Sequence, residues 1–175
     1  SCGSAVRVWD VSSGTELLRL QHGGTALGAV WNGDESRLLT WSMDGTVRVW
    51  DAASGAELRR LHNDSEWIMV GAVWNKNESR LLTWAYDGTV RVWDAVSGAE
   101  LLRLQHEGWV YGAAWNGDES RLLTWAGDDT VRVWDATSGA EMLRLQHEEP
   151  VRGAVWNGDE RRLLTWSYDG TARVW

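Results

Sequence analysis

The stretch Glu100–Trp134, ELLRLQHEGWVYGAAWNGDESRLLTWAGDDTVRVW, decides the fold. It divides into four short runs: Glu100–His106 (ELLRLQH), Val110–Asn116 (VYGAAWN), Arg121–Ala126 (RLLTWA) and Thr130–Trp134 (TVRVW). Leu-Arg-Leu and Val-Arg-Val alternate with the period of a strand, and no run has the period of a helix. Asn116-Gly117-Asp118-Glu119 and Gly127-Asp128-Asp129 are rich in turn formers, and Asp135-Ala136-Thr137-Ser138-Gly139 leads into the next run. The reading is four antiparallel strands joined by tight turns.

Outward from this stretch the same text returns. Val-Arg-Val-Trp occurs at Val6–Trp9, Val47–Trp50, Val90–Trp93 and Val131–Trp134, and Ala172-Arg173-Val174-Trp175 ends the chain. The closing tryptophans are spaced by 41, 43, 41 and 41 residues. Four units follow, 10–50, 51–93, 94–134 and 135–175, behind an N-terminal stub 1–9 that carries a spare third strand, Ala5–Trp9. A four-stranded sheet cannot bury both faces alone, but sheets repeated around an axis cover one another. At least three Trp per unit provide the large flat side chains for that packing. The expected class is all-β, a propeller.

Composition narrows the function. The chain has 175 residues, 15 Trp, no Phe, one Pro, 19 Gly and a net charge of -8. Asp and Glu outnumber Lys and Arg by 25 to 17, which argues against phosphate-backbone binding and against anionic membrane surfaces. No apolar run approaches ~18 residues and no signal peptide is evident. The lone Cys2 cannot form an internal disulfide, so a reducing, cytoplasmic compartment is expected. The absence of an initial Met points to a processed, excised or engineered segment.

The residues resemble the WD40 family. In that family a His before the innermost strand, a Ser or Thr on the next, an Asp in the following turn and a Trp on the third strand form a hydrogen-bonded network. The matching positions are His22, Thr40, Asp44 and Trp50; His106, Thr124, Asp128 and Trp134; His147, Thr165, Asp169 and Trp175. In the second unit Thr83, Asp87 and Trp93 match, but two residues are inserted in 61–67 and Asn63 stands where His is expected. The Trp-Asp pair recurs at Trp9-Asp10, Trp50-Asp51, Trp93-Asp94 and Trp134-Asp135. Near-identity of the units also resembles highly repetitive bacterial WD40 propellers, or an engineered relative. The resemblance implies a β-propeller with four blade-forming repeats of four antiparallel strands, read as half of an eight-bladed ring. Closing that ring takes a homodimer, with strands exchanged at the seam. The third strand is then supplied twice, by Ala5–Trp9 and by 171–175, and the short Asp169-Gly170 tether favours the C-terminal copy.

His, Thr and Asp together look like a hydrolase triad, but the set recurs, and a repeated closed network satisfies buried polar groups. No His-x-x-x-His spacing, alternating calcium-loop carboxylates or phosphate loop is present, so neither metal nor cofactor is expected. The Asn-Gly-Asp-Glu turns read as solvated. The repeated Arg7, Arg48, Arg91, Arg132 and Arg173 read as strand alternation.

Comparing the units column by column, the differences concentrate around the innermost strand. Its start carries Thr25, Ile68, Trp109 or Pro150, and two residues on Leu27, Val70, Tyr111 or Arg152. The residue before the turn Asp is Met43, Tyr86, Gly127 or Tyr168. In a WD40-like blade both loops open on one face of the disc. The expected interaction face therefore holds Leu27, Met43, Ile68, Val70, Tyr86, Trp109, Tyr111, Arg152 and Tyr168, residue types common at binding hot spots. The expected function is a non-catalytic scaffold for a protein or peptide. The alternatives are a structural or engineered repeat module without a ligand, and a sensor domain cut from a larger signalling protein.

Overall fold

The computed structural model describes residues 4–62 and 68–175. Cys2 and Asn63, on which the compartment and second-blade readings rest, lie outside them. The chain opens with a hairpin of β1 (Ala5–Trp9) and β2 (Glu16–Gln21). A first complete sheet follows: β3 (Ala26–Trp31), β4 (Arg37–Ser42), β5 (Thr46–Asp51) and β6 (Glu57–His62). The second is β7 (Met69–Trp74), β8 (Arg80–Ala85), β9 (Thr89–Asp94) and β10 (Glu100–Gln105). The third is β11 (Val110–Trp115), β12 (Arg121–Ala126), β13 (Thr130–Asp135) and β14 (Glu141–Gln146). The last has three strands, β15 (Val151–Trp156), β16 (Leu163–Ser167) and β17 (Ala172–Val174). All neighbours pair antiparallel, and no helix occurs among the described residues. The helix-free, four-stranded blades of the sequence reading are present.

Blades and sequence units are offset by one strand. The unit 51–93 gives β6 to the first blade and β7, β8 and β9 to the second, so the backbone itself ties each blade to the next. Strand ends shift slightly from expectation. His106 leaves its strand and donates its backbone N–H to Gly88 O at 2.9 Å, while the strand at Thr130 runs on to Asp135.

Adjacent leucines explain the packing. In a strand successive side chains face opposite ways, so Leu38 and Leu39 point to different neighbours. Leu39, Val47, Val49 and Leu61 of the first blade meet Met69, Ala72 and Leu81 of the second. Leu82, Val90 and Val92 repeat this against Val110, Ala113 and Leu122, and Leu123, Val131 and Val133 against Val151, Ala154 and Leu163. The hairpin covers part of the outer face of the first blade, Val6, Val8 and Leu18 packing around Leu38 and Trp50. Within a blade, Gly112 faces Trp125 across the register. A Cβ on Gly112 would lie 1.9 Å from the indole, and Gly28, Gly71 and Gly153 have the same fit.

The turn between the second and third strands needs left-handed backbone. Gly45, Gly88 and Gly170 take it at φ 74, 82 and 79°, but the third blade uses Asp129 at φ 65°. A side chain there costs about 1 kcal/mol. Asp129→Gly is expected to stabilise the chain by about 1 kcal/mol in denaturant unfolding; an unchanged or lower midpoint would show that the Asp129 side chain compensates for its backbone.

Candidate interaction face and the network beneath it

The third blade shows the polar network in full. His106 Nδ1 lies 3.0 Å from Asp128 Oδ2, and His106 Nε2 lies 2.7 Å from Thr124 Oγ1. Trp134 Nε1 donates to the same hydroxyl at 2.8 Å. These contacts assign the proton to Nδ1, leaving Nε2 to accept from the threonine. The fourth blade repeats them, with His147–Asp169 at 2.9 Å, His147–Thr165 at 2.7 Å and Trp175–Thr165 at 2.9 Å. In the first, His22–Thr40 is 2.7 Å and Trp50–Thr40 2.8 Å, but His22 stands 3.5 Å from Asp44. In the second, Trp93 donates to Thr83 at 2.9 Å and Thr89 to Asp87 at 2.6 Å.

Electrostatics keep the acid charged. Burial pushes the Asp128 carboxyl up, but hydrogen bonds from His106 and Thr130 outweigh it and hold the group well below the usual carboxylate range. Asp44 behaves alike through Thr46 and the Gly23 N–H, and Asp169 is held low first by the Thr171 hydroxyl. His22 is pushed down by burial and then by Arg48, which keeps it neutral. Thr124 is fully buried and its hydroxyl is engaged by both neighbours, so the triad-like set has no reachable nucleophile.

Two features read differently in the structure. The repeated arginines are more than strand alternation: Arg48, Arg91 and Arg132 are buried, and Arg132 Nη2 reaches Asp128 Oδ2 at 2.6 Å. A strand between two blades has no solvent side, so its arginine needs an acid, and Asp128 stands four residues earlier. The Asn-Gly-Asp-Glu turns are not simply solvated either. Asn32, Asn75 and Asn116 are buried, and Glu78, Glu119 and Glu160 cross to the preceding blade. Glu78 accepts from Asn32 Nδ2 at 2.7 Å, Gly33 N at 2.5 Å and Arg37 at 2.7 Å, while Arg37 lies 4.7 Å over Trp74. Glu119 takes Asn75 and the Lys76 N–H, and Glu160 takes Asn116, the Gly117 N–H and Arg121. These donors, Asn32 first for Glu78 and Asn116 first for Glu160, hold both carboxyls below their ordinary range.

Above the network lie the varied positions. Tyr86 and Trp109, from adjacent blades, have ring centroids 5.2 Å apart, and Tyr86 meets Tyr111 edge-on at 6.4 Å. Gly127 leaves room for Tyr111, whose hydroxyl would stand 3.1 Å from a Cβ there. Burial, then the neighbouring Tyr168 and Tyr86, push the Tyr111 hydroxyl up. Arg152 covers the Tyr168 ring at 4.7 Å. Tyr86, Trp109, Tyr111, Arg152 and Tyr168 thus form one group, with Trp109 52% and Tyr168 59% exposed. A shallow cleft of about 270 Å³ beside Trp109 is lined by Tyr86, Asp87, Gly88, Glu107 and Gly108. Ile68 and Val70 are half-buried on the second blade, and Leu27 and Met43 stand exposed on the first.

Asp128→Ala leaves buried donors of His106, Thr130 and Arg132 without their acceptor, so a loss of about 1–3 kcal/mol is expected in denaturant unfolding. Its contribution is complete above the ordinary carboxyl value of 3.8 and is lost as pH falls below that, because the folded group titrates lower. The variant should therefore lose less stability on acidification than the parent; identical acid profiles would remove Asp128 from the network.

Similarity to known proteins agrees with this geometry. The model of the WD domain, G-beta repeat, matches residues 14–51, 55–94, 98–135 and 140–175. No curated protein matches the sequence. Among solved structures, the computationally designed Ika8 protein is similar with TM-score 0.84 and 25% identity, over 98% of this chain and 52% of that one. The chain thus spans about half the length of Ika8. The computationally designed Ika4 protein is similar with TM-score 0.79 and 25% identity, over 93% of this chain and 98% of that one. With repeats matched along most of its length and the blade network in place, the chain belongs to the WD40 family.

Proposed function

We propose that this non-catalytic repeat module is a scaffold that binds a protein or peptide segment on the Tyr86, Trp109, Tyr111, Arg152 and Tyr168 face. One observation carries this reading. The positions that differ between otherwise matching repeats come together as a cross-blade aromatic group with Trp109 half exposed. Exposed aromatics beside a cleft suit an apolar side chain of a partner; Glu107 lines the cleft, and Arg152 over the Tyr168 ring offers a further polar contact. The Asp128 carboxylate accepts from the Glu107 N–H at 3.1 Å and from His106, so the loop that presents Trp109 is braced from below. A braced surface loses little entropy on binding.

A second reading, a repeat module without a selected ligand, is favoured by the likeness to two computationally designed chains. Selection of a displayed random peptide library on the immobilised chain separates the two. Scaffold function predicts peptides whose affinity falls by about thirtyfold, roughly 2 kcal/mol, in Trp109→Ala/Tyr111→Ala. The thermal midpoint should change little, since Trp109 is half exposed. Failure to select any peptide, or peptides that bind this variant as tightly as the parent, would support the ligand-free module.

A further inference from the structure

The outermost surfaces of the first and fourth blades are complementary halves of a contact that the chain already makes three times. We infer that a second copy of this chain docks there head to tail, its Asn157, Gly158 and Arg162 gripping Glu35. This goes beyond the binding face and does not depend on it.

Each internal boundary joins a donor half and an acceptor half. The donor half is the Asn side chain, the following backbone N–H and the Arg of one blade; the acceptor half is the Glu of the next, with the Trp on which the Arg lies. The fourth blade carries a spare donor half. Asn157, Gly158 and Arg162 stand in the places of Asn116, Gly117 and Arg121, and Arg162 N already donates to Asn157 Oδ1 at 2.8 Å. The first blade carries a spare acceptor half. Glu35 has the same left-handed backbone as Glu78, Glu119 and Glu160, at φ 61° against 60, 62 and 58°. That conformation turns the carboxylate sideways to a neighbour. Trp31 is 44% exposed, whereas Trp74, Trp115 and Trp156 each lie under an arginine at 4.6–4.7 Å. Among the described residues no hydrogen bond or ion pair reaches the Glu35 carboxylate or the Arg162 guanidinium.

The apolar surfaces fit the same way. Leu164 is 42% exposed, although its counterparts Leu39, Leu82 and Leu123 are fully buried. Trp166 is 41% exposed. On the other side Ala29 is exposed where Ala72, Ala113 and Ala154 are buried. The β1–β2 hairpin packs on only part of the first blade's flank, and among the described residues it pairs with no further strand. Strands β15 and β16 of a second copy supply the inner strands beside it, bringing Leu164, Asn157 and Arg162 over Ala29, Glu35 and Trp31.

Two copies form two identical seams, and closed pairing is the usual arrangement for identical chains. The count accords with the chain spanning about half of the designed Ika8 protein, whereas its span over 98% of the designed Ika4 protein corresponds to the one-chain alternative that the mass measurement tests. One place per seam is claimed twice, by β1 and by the partner's β17. Val6 matches the buried valines 47, 90 and 131, while β17 pairs over only three residues and carries Ala172, so packing favours β1 as the short tether favours β17. Either occupant leaves the clamp intact, because Glu35, Asn157 and Arg162 lie on turns between inner strands.

Sedimentation equilibrium of the 175-residue chain is expected to give twice the 19.7 kDa mass at micromolar concentration. Glu35→Ala and Arg162→Ala should each raise the dissociation constant by roughly tenfold or more. Together they should cost less than the sum of the two single changes, since both remove the Glu35–Arg162 contact. Both sites are exposed, and circular dichroism of each variant checks that it folds. Arg161→Ala, next to the clamp but outside it, should leave dissociation unchanged, as should Trp109→Ala/Tyr111→Ala, so this inference and the binding face fail separately. A monomer mass overturns the proposal in favour of a four-bladed or open chain. A dimer unmoved by Glu35→Ala and Arg162→Ala, or weakened additively by them, overturns the clamp.

Discussion

Every blade of this chain is apolar on both faces, and that constraint organises the rest. Leu81 and Leu82, one residue apart on β8, are both almost fully buried, yet they face opposite neighbours. A sheet with one wet face cannot accommodate this pair without exposing a leucine, at about 25 cal/mol per Å² of apolar area. The blade therefore needs a blade on each side. Where a neighbour is lacking the consequence is direct, as Leu164 shows beside its buried counterparts.

Packing sheets this closely traps polar groups. An indole N–H, an imidazole, a threonine hydroxyl and a guanidinium all lie between blades, and pairing them offsets the cost of removing them from water. Asp128 resolves most of this at once. It accepts from His106, Thr130 and Arg132 while Thr124 joins the imidazole to Trp134. The same carboxylate receives the Glu107 N–H, so it also braces the loop on which Trp109 sits. Stability of the third blade and the placement of the Trp109 loop thus share one group.

The two rims of the blades are used differently. Around Trp109 the repeats diverge and the side chains are partly free. At the turns between the first two strands of each blade the Asn, Glu and Arg recur in all four units, and Glu78, Glu119 and Glu160 are each committed to the blade before them. One rim carries partly free side chains; the other is occupied with holding blade to blade. Even the replacement of Gly33 and Gly117 by Lys76 respects this, because the contact is to the backbone N–H.

The architecture was legible in the sequence because strand period, turn chemistry and repetition are local properties. The 41-residue return of Val-Arg-Val-Trp and the turn formers between the runs need no distant information to specify a four-stranded sheet. The His, Thr, Asp and Trp set was legible for the same reason: it recurs at fixed offsets. Contacts between blades were not. Arg132 looks like an ordinary outward-facing strand residue until both sides of its strand are known to be covered, and Glu78 looks like a solvated turn residue until Asn32 and Arg37 of another blade arrive beside it. Nor could spacing alone show that Tyr86, Trp109 and Tyr111 touch across a boundary. The chain determines each blade through neighbours in sequence; which side chains meet between blades was decided by the angle and distance at which two folded sheets come to rest, and only the tertiary structure contains those.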